Sequence, residues 1–267
     1  MRPPLGQHFL RDLRAVHTIL SAAELSAEDT VLEIGPGRGV LTDALAGRVR
    51  RVVAVELDAA LAARLQARAA SHTDILHADF LKVDLPSLFA PGARAVKVLG
   101  NLPYSITSPI FEKLLPWTGW QTGVFLVQQE VAERMKSPSG LRSFGILSLA
   151  VQLFAEVEAL LTVKPGAFIP PPRVTSTVIR LRRKPAADLP PEWIPAFFDL
   201  AHGAFAHRRK TLANSLAFFS RRPKKEVEKW LEAERIEPIR RAETLALADY
   251  VRMAHPWAIF RRETKLT

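Results

Sequence analysis

From Thr30 to about Gln128, short apolar runs alternate with stretches of helical periodicity. Val31-Leu32-Glu33-Ile34 precedes a periodic stretch from Val40 to Ala46, and Val52-Val53-Ala54-Val55 precedes one from Ala59 to Ala70. Further runs lie at Asp74 to His77, Ala95 to Leu99 and Gly123 to Val127. Strands with no polar alternation are buried on both faces, so the pattern predicts a parallel sheet wound with helices on either side, an α/β fold. Glu156 to Val163 and Thr175 to Leu181 flank Pro170-Pro171-Pro172 and read as two late strands around a stiff turn, a hairpin at the sheet edge.

Lys184 to Pro195, rich in Pro and Ala, reads as a linker. After it, Phe197 to Phe219, Lys224 to Ala233 and Glu243 to Ala254 carry helical periodicity. The expected organisation is a ligand-binding α/β domain over 1–184 and a small all-α domain over 189–267. Phe197, Phe198, Phe205, Phe218 and Phe219 are assigned to the helical core, since their spacing suits a buried stripe.

Composition narrows the function. The 267 residues are 48% hydrophobic with a formal net charge of +10, enough for a real core and biased towards polyanionic partners, nucleic acid first. There is no cysteine, which excludes disulfides, cysteine-ligated zinc, iron–sulfur clusters and a cysteine nucleophile; no metal site is expected. Met1 to Arg14 has no apolar signal core and no run approaches the roughly 18 apolar residues of a membrane span, so the expected address is the cytoplasm, away from any membrane. The charge is uneven: Arg208, Arg209, Lys210, Arg221, Arg222, Lys224 and Lys225 fall in a stretch from Leu200 to Lys225 that has no acidic residue. Solvated helix faces usually mix both signs, so this stretch is the candidate RNA-binding segment.

Glu33-Ile34-Gly35-Pro36-Gly37-Arg38-Gly39 follows a strand and opens a helix, where ligands meet the carboxyl ends of a parallel sheet. The G-x-G-x-G spacing of Gly35, Gly37 and Gly39 differs from the G-x-G-x-x-G of dinucleotide binders, which disfavours a pyrophosphate and a nicotinamide-dependent oxidoreductase. Alone, the loop is equally an ordinary strand–helix connection. Glu56, closing the next strand, is placed to grip ribose hydroxyls, and Asp79, past the third, to accept from an adenine amino group. Together these features point to an adenosine ligand without a pyrophosphate, S-adenosylmethionine being the obvious candidate.

Asn101-Leu102-Pro103-Tyr104 follows the run Ala95 to Leu99 and brings an amide, a rigid carbonyl and an aromatic face to one strand end. An exocyclic adenine nitrogen is a poor nucleophile because its lone pair is delocalised into the ring. Two acceptors, the Asn101 side-chain oxygen and a backbone carbonyl next to Pro103, would bond its hydrogens and turn the lone pair towards an electrophile. Tyr104 would hold the base by stacking, and proline keeps Leu102 extended.

The chain resembles the rRNA adenine dimethyltransferases of the KsgA type. The resemblance runs through Gly6 to Leu10, Glu33 to Gly39, Val55 to Asp58, Asp79, Asn101 to Tyr104, Val127 to Arg134, Phe168 to Ser176 and Phe205 to Leu216. It implies a Rossmann-like class I methyltransferase fold and a S-adenosylmethionine site lined by His8, Leu10, Gly35, Glu56, Asp79 and Asn101. It further implies a target-base pocket of Asn101, Pro103 and Tyr104, and as substrate two adjacent adenosines near the 3′ end of 16S rRNA, in the small ribosomal subunit or its precursor. A monomer is expected. Family members often carry Asn where this chain has His8, and a longer basic extension ahead of Gly6. Two other readings share the fold: the erythromycin-resistance methyltransferases of large-subunit rRNA, against which the Phe205 to Leu216 block speaks, and non-catalytic nucleic-acid-binding factors, against which the intact site residues speak.

Overall fold

In a computed structural model, residues 7–90, 95–185 and 189–262 are described, so Gly6 of the resemblance and the residues before it lie outside them. The elements run in the order β1 (Phe9–Leu10), α1 (Leu13–Ala22), β2 (Thr30–Ile34), α2 (Val40–Leu45), β3 (Arg51–Glu56), α3 (Ala59–Gln66), β4 (Thr73–His77), β5 (Val96–Asn101), α4 (Thr107–Leu114) and β6 (Trp120–Gln128). They continue through α5 (Gln129–Met135), α6 (Ile146–Phe154), β7 (Ala155–Val163), β8 (Phe168–Ile169) and β9 (Ser176–Arg183) to α7 (Ile194–Phe205), α8 (Leu212–Ser220), α9 (Lys224–Ala233) and α10 (Leu247–Arg262).

Seven strands form one sheet in the order β4-β3-β2-β5-β6-β9-β7. The pairs β4·β3, β3·β2, β2·β5 and β5·β6 are parallel, while β9 runs antiparallel to both β6 and β7. The chain winds from β2 outward to β4, then returns beside β2 as β5. The carboxyl ends of β2 and β5 thus bound the crevice where strand order reverses, the place at which such sheets bind ligands. The fold is the Rossmann-like class I methyltransferase fold, with the two late strands at the edge. Among the described residues, no helix is long and apolar enough to cross a membrane.

One face of the sheet is closed by α1, which the sequence pattern did not single out. Asp12 caps it by accepting from the Arg14 amide at 2.8 Å, and Ala15, Val16, Ile19 and Leu20 are buried. Each of the larger of these contributes about 1.5–3 kcal/mol through burial. Immediately before this helix, the two-residue β1 pairs antiparallel with β8, setting Phe9 opposite Ile169 and Leu10 opposite Phe168.

Among the described residues, those up to Ala132 together with Ala155–Lys184 form one unit, and Glu133–Phe154 with those from Pro185 onward form the other. A single boundary between 184 and 189 therefore misassigns 133–154. The reason lies in α6, where Leu147, Leu149, Ala150, Val151, Leu153 and Phe154 are all buried: a helix apolar around its circumference needs neighbours on all sides.

In the helical unit, the stretch expected as one helix over Phe197 to Phe219 is two, α7 and α8, joined through residues 206–211. Thr211 caps α8 by accepting from the Asn214 amide. Trp257 and Phe260 of α10 pack around Trp230 of α9, and the Trp257 indole N–H donates to Asp199 at 2.7 Å. Phe197 and Phe205 are buried as expected, but Phe218 is 70% exposed. Helix α8 turns Leu212, Ala213, Ser215, Leu216 and Ser220 inward, and the 100° step per residue puts position 218 on the opposite face.

Candidate active site

Four strand ends and the β1 segment supply one cleft. Its two lobes share Gln7, Gly35, Glu56 and Pro103; the first is completed by His8, Leu10, Glu33 and Asn101, the second by Leu57, Asp79, Phe80 and Ile106.

The glycine loop follows β2. Gly35, Gly37 and Gly39 have φ of 66°, 59° and 83°, a left-handed run closed to ordinary side chains. Gly35 is tied to β3 by donating to the Val55 carbonyl at 2.9 Å. Gly37 donates to the Glu56 carboxylate at 2.9 Å, and a Cβ on it would press on the Phe9 ring at 3.2 Å. Gly39 plays a different part from the one expected of it. It lines neither lobe; it sits at the N-cap of α2, where a Cβ would meet Leu65 at 2.4 Å and Arg68 at 2.5 Å. Arg68 clamps the loop from behind, donating to Asp43 and to the Arg38 carbonyl, each at 2.6 Å.

Glu56 is buried with both oxygens oriented by backbone donors, Gly37 on one and Asp58 on the other, each at 2.9 Å. Asp79 accepts from the Leu81 amide at 3.0 Å, which aims its side chain at the second lobe. Leu57 is half exposed there while Phe80 is buried, so apolar walls stand beside these carboxylates. An adenosine suits this set: flat apolar contact for the base, a carboxylate for each polar edge.

Glu33 lines the first lobe and was passed over in the sequence except as part of the glycine block. It is fully buried, and that burial pushes its carboxyl from 4.5 to about 7; a hydrogen bond from the Thr42 hydroxyl opposes this, and the charges of Asp43 and Glu56 add to it. A carboxylic residue inside the apolar run Val31 to Ile34 was the signal available, since buried polar groups need a reason. A carboxyl poised this way is a ready partner for a cationic ligand group.

At the end of β5, Asn101 donates from Nδ2 to the His8 carbonyl at 2.8 Å. The amide's nitrogen being engaged, its oxygen is the branch left to accept. The Pro103 carbonyl already accepts from the Ile106 amide at 3.2 Å and the Thr107 hydroxyl at 2.9 Å. The other carbonyl beside Pro103 is that of Leu102, which lines the same lobe and whose own amide is pinned to the Leu126 carbonyl at 3.1 Å. The hydroxyls of Tyr104 and Ser176 are 2.6 Å apart, and burial pushes the Tyr104 phenol above its ordinary value, so it remains a neutral anchor. The His8 ring stacks on Tyr104 with centroids 5.6 Å apart, and its Nδ1–H donates to the Pro170 carbonyl at 2.7 Å.

These groups assemble around one strand end a handle for an amino group and a face for its ring. A family model described as ribosomal RNA adenine dimethylase matches residues 1–256. The chain belongs to that family. A relative in Pelotomaculum thermopropionicum, named ribosomal RNA small subunit methyltransferase A, is 40% identical over 95% of this chain and 90% of its own length. Among solved structures, a dimethyladenosine transferase from Plasmodium falciparum superposes with a TM-score of 0.71 at 23% identity, covering 94% of this chain and 98% of its own, a likeness of fold. The 23S rRNA methyltransferase ErmE gives 0.59 at 26% identity, covering 94% and 99%. The match to the dimethylase family spans both the glycine loop and the Asn101 to Tyr104 block.

The basic residues of the helical unit are less uniform than their sequence suggested. Arg208 donates to the carbonyls of Arg142 and Phe144 at 2.9 and 3.0 Å, holding a loop of its own unit. Arg222 lies over the Phe260 ring at 4.1 Å and pairs with Glu226, its side chain only 10% exposed. Lys224 pairs with Glu228 at 3.2 Å. Arg209, Lys210, Arg221 and Lys225 are exposed and form no ion pair among the described residues. The first two precede α8 and the others follow it, so the helix spaces the free charges about 14 Å apart.

Proposed function

We infer that the protein methylates N6 of two adjacent adenosines near the 3′ end of 16S rRNA, giving N6,N6-dimethyladenosine, during late assembly of the small subunit. The observation that carries this reading is the Asn101 carboxamide locked by the His8 carbonyl, which commits its oxygen to a donor such as an exocyclic amino group. The rRNA substrate implies a cytoplasmic site of action, and a monomer suffices because every group invoked belongs to one chain.

Asn101 Oδ1 and the Leu102 carbonyl accept the two N6 hydrogens, which draws the nitrogen towards a tetrahedral shape and frees its lone pair. Tyr104 stacks against the flipped base, its hydroxyl end anchored on Ser176. Holding the nucleophile in line is worth roughly 7–11 kcal/mol, so orientation carries most of the rate. The proton lost from N6 passes to water, since no strong base stands in the Asn101 to Tyr104 block.

S-adenosylmethionine, when bound, supplies an electrophilic methyl group on a sulfonium. Glu56 would take its ribose hydroxyls, Asp79 its adenine amino group, and Leu57, Phe80 and Ile106 the ring faces. His8, Leu10, Gly35 and Gly37 would line the remainder, with Glu33 offsetting the positive charge. Arg209, Lys210, Arg221 and Lys225 would engage phosphates, a term that weakens with salt.

The test is transfer of labelled methyl groups to purified ribosomal subunits from a strain lacking this modification. Label should appear in small-subunit RNA and release as N6,N6-dimethyladenosine. Label confined to the large subunit would overturn the reading in favour of the ErmE-type reaction, and RNA binding with no transfer would favour a non-catalytic factor.

A further inference from the structure

We propose that Phe218 is a stacking platform for an unpaired RNA base, a nucleobase contact belonging to the helical unit itself. The proposal rests on the reading of the substrate as RNA.

Phe218 is 70% exposed on the outward face of α8, whereas its neighbour Phe219 lies against Gly203 and beneath the Arg261 guanidinium at 5.4 Å. The Phe218 ring is not loose. It meets the His207 ring at 4.4 Å between centroids and 82° between planes, an edge contact that sets its orientation and takes up at most one face. His207 is itself held, its amide donating to the Ser215 hydroxyl at 3.1 Å.

Two features favour a base over an apolar protein partner. Along α8 itself, among the described residues, the outward positions around the ring are Asn214, a turn before, and Arg221, three residues after, so the helix extends no apolar patch from it. Cations with no ion pair among the described residues also flank its helix in the chain. Arg209 and Lys210 come two and three residues after His207 in the chain, ahead of α8, Arg221 follows the helix, and no acidic residue occurs between Leu200 and Lys225. A single oriented aromatic face with cations to either side is what a splayed-out nucleotide needs: one surface for the ring, charge for the phosphates flanking it.

The experiment compares the full chain with Phe218→Ala, Phe218→Leu and Phe218→Trp. Each is titrated against a labelled RNA hairpin with unpaired adenosines and against a blunt RNA duplex of equal length. Phe218→Ala and Phe218→Leu should weaken hairpin binding roughly ten-fold, Phe218→Trp should retain it, and duplex binding should be unchanged. The salt dependence should stay as in the wild type, because no charge is removed. Unchanged hairpin affinity in Phe218→Ala, or full affinity in Phe218→Leu, overturns the stacking role. The wild-type titration, run alongside with purified small subunits, separates this from the larger reading: a wild type that binds neither RNA nor small subunits refutes the RNA substrate, one that binds subunits but not the hairpin refutes the platform for an unpaired base, and a wild type and Phe218→Ala that bind the hairpin equally refute the platform alone. Circular dichroism melts of each variant check that α8 remains folded.

Discussion

The side-chain nitrogen of Asn101 and the main-chain oxygen of His8 lie 2.8 Å apart across 93 residues of sequence. That one bond fixes which end of the amide is left unengaged, and on the proposed reading it is the oxygen end that meets the base. A carboxamide free to flip would present its NH2 group to an adenine amino group half the time, donor against donor; the His8 carbonyl removes that state.

Asn101→Ala should therefore lower single-turnover methyl transfer by two to three orders of magnitude, comparable to loss of one positioned polar group elsewhere, while RNA affinity stays within about two-fold. Asn101→Asp should be nearly as poor, because a carboxylate beside the His8 carbonyl is repelled and the lock is lost. Comparable losses of transfer and binding in Asn101→Ala would contradict the assigned role.

Tyr104 separates ring from hydroxyl. Tyr104→Phe keeps the stacking face and loses only the contact with Ser176, so turnover should fall less than ten-fold; Tyr104→Ala should lose about 1–3 kcal/mol of base binding. Steady-state kinetics on small subunits distinguishes the two, and equal defects would show that the hydroxyl, not the ring, carries the function.

Glu33 makes stability depend on pH. Its folded value of about 7 exceeds its unfolded value of 4.5. The neutral form favours folding, so the contribution is complete below 4.5 and is lost as pH rises through about 7. Glu33→Gln should thus gain stability relative to wild type between about pH 5 and pH 8, by up to about 3 kcal/mol, in chemical denaturation of the unliganded protein. A stability difference that does not move with pH would remove Glu33 from the site's electrostatics.

Arg208 and Arg209 are adjacent yet should fail differently. Arg209→Ala should reduce the slope of log affinity against log salt by about one unit with little effect on melting. Arg208→Ala loses the bonds to the Arg142 and Phe144 carbonyls and should cost about 1 kcal/mol of stability instead. Identical salt slopes for wild type and Arg209→Ala would exclude it from phosphate contact.

Gly39→Ala forces a methyl into Leu65 and Arg68 at a left-handed backbone position. It should lower the melting temperature by several degrees. Its effect on S-adenosylmethionine affinity, measured calorimetrically, should follow from loop displacement, since Gly39 lines neither lobe.

Residue order alone was sufficient for the alternation of β2 to β6 with their helices, for the glycine loop, for Glu56 at the end of its strand and Asp79 past the next, and for the Asn101 to Tyr104 block. Each of these is a local property: a period of 2 or 3.6, a φ only glycine tolerates, a chain extended by proline. What tertiary structure decided was every relationship between distant positions. The pairing of β1 with β8 delivers His8 to Asn101 and Pro170; burial, not composition, lifts the Glu33 carboxyl; α6 joins the helical unit although the strand that follows it, β7, lies in the sheet. Within one basic stretch, Arg222 turns over Phe260 while Arg209 stays in water, and of two consecutive phenylalanines only Phe219 faces inward. Such outcomes depend on which surfaces meet once the chain closes on itself, and partners many tens of residues apart leave no periodic trace in either segment.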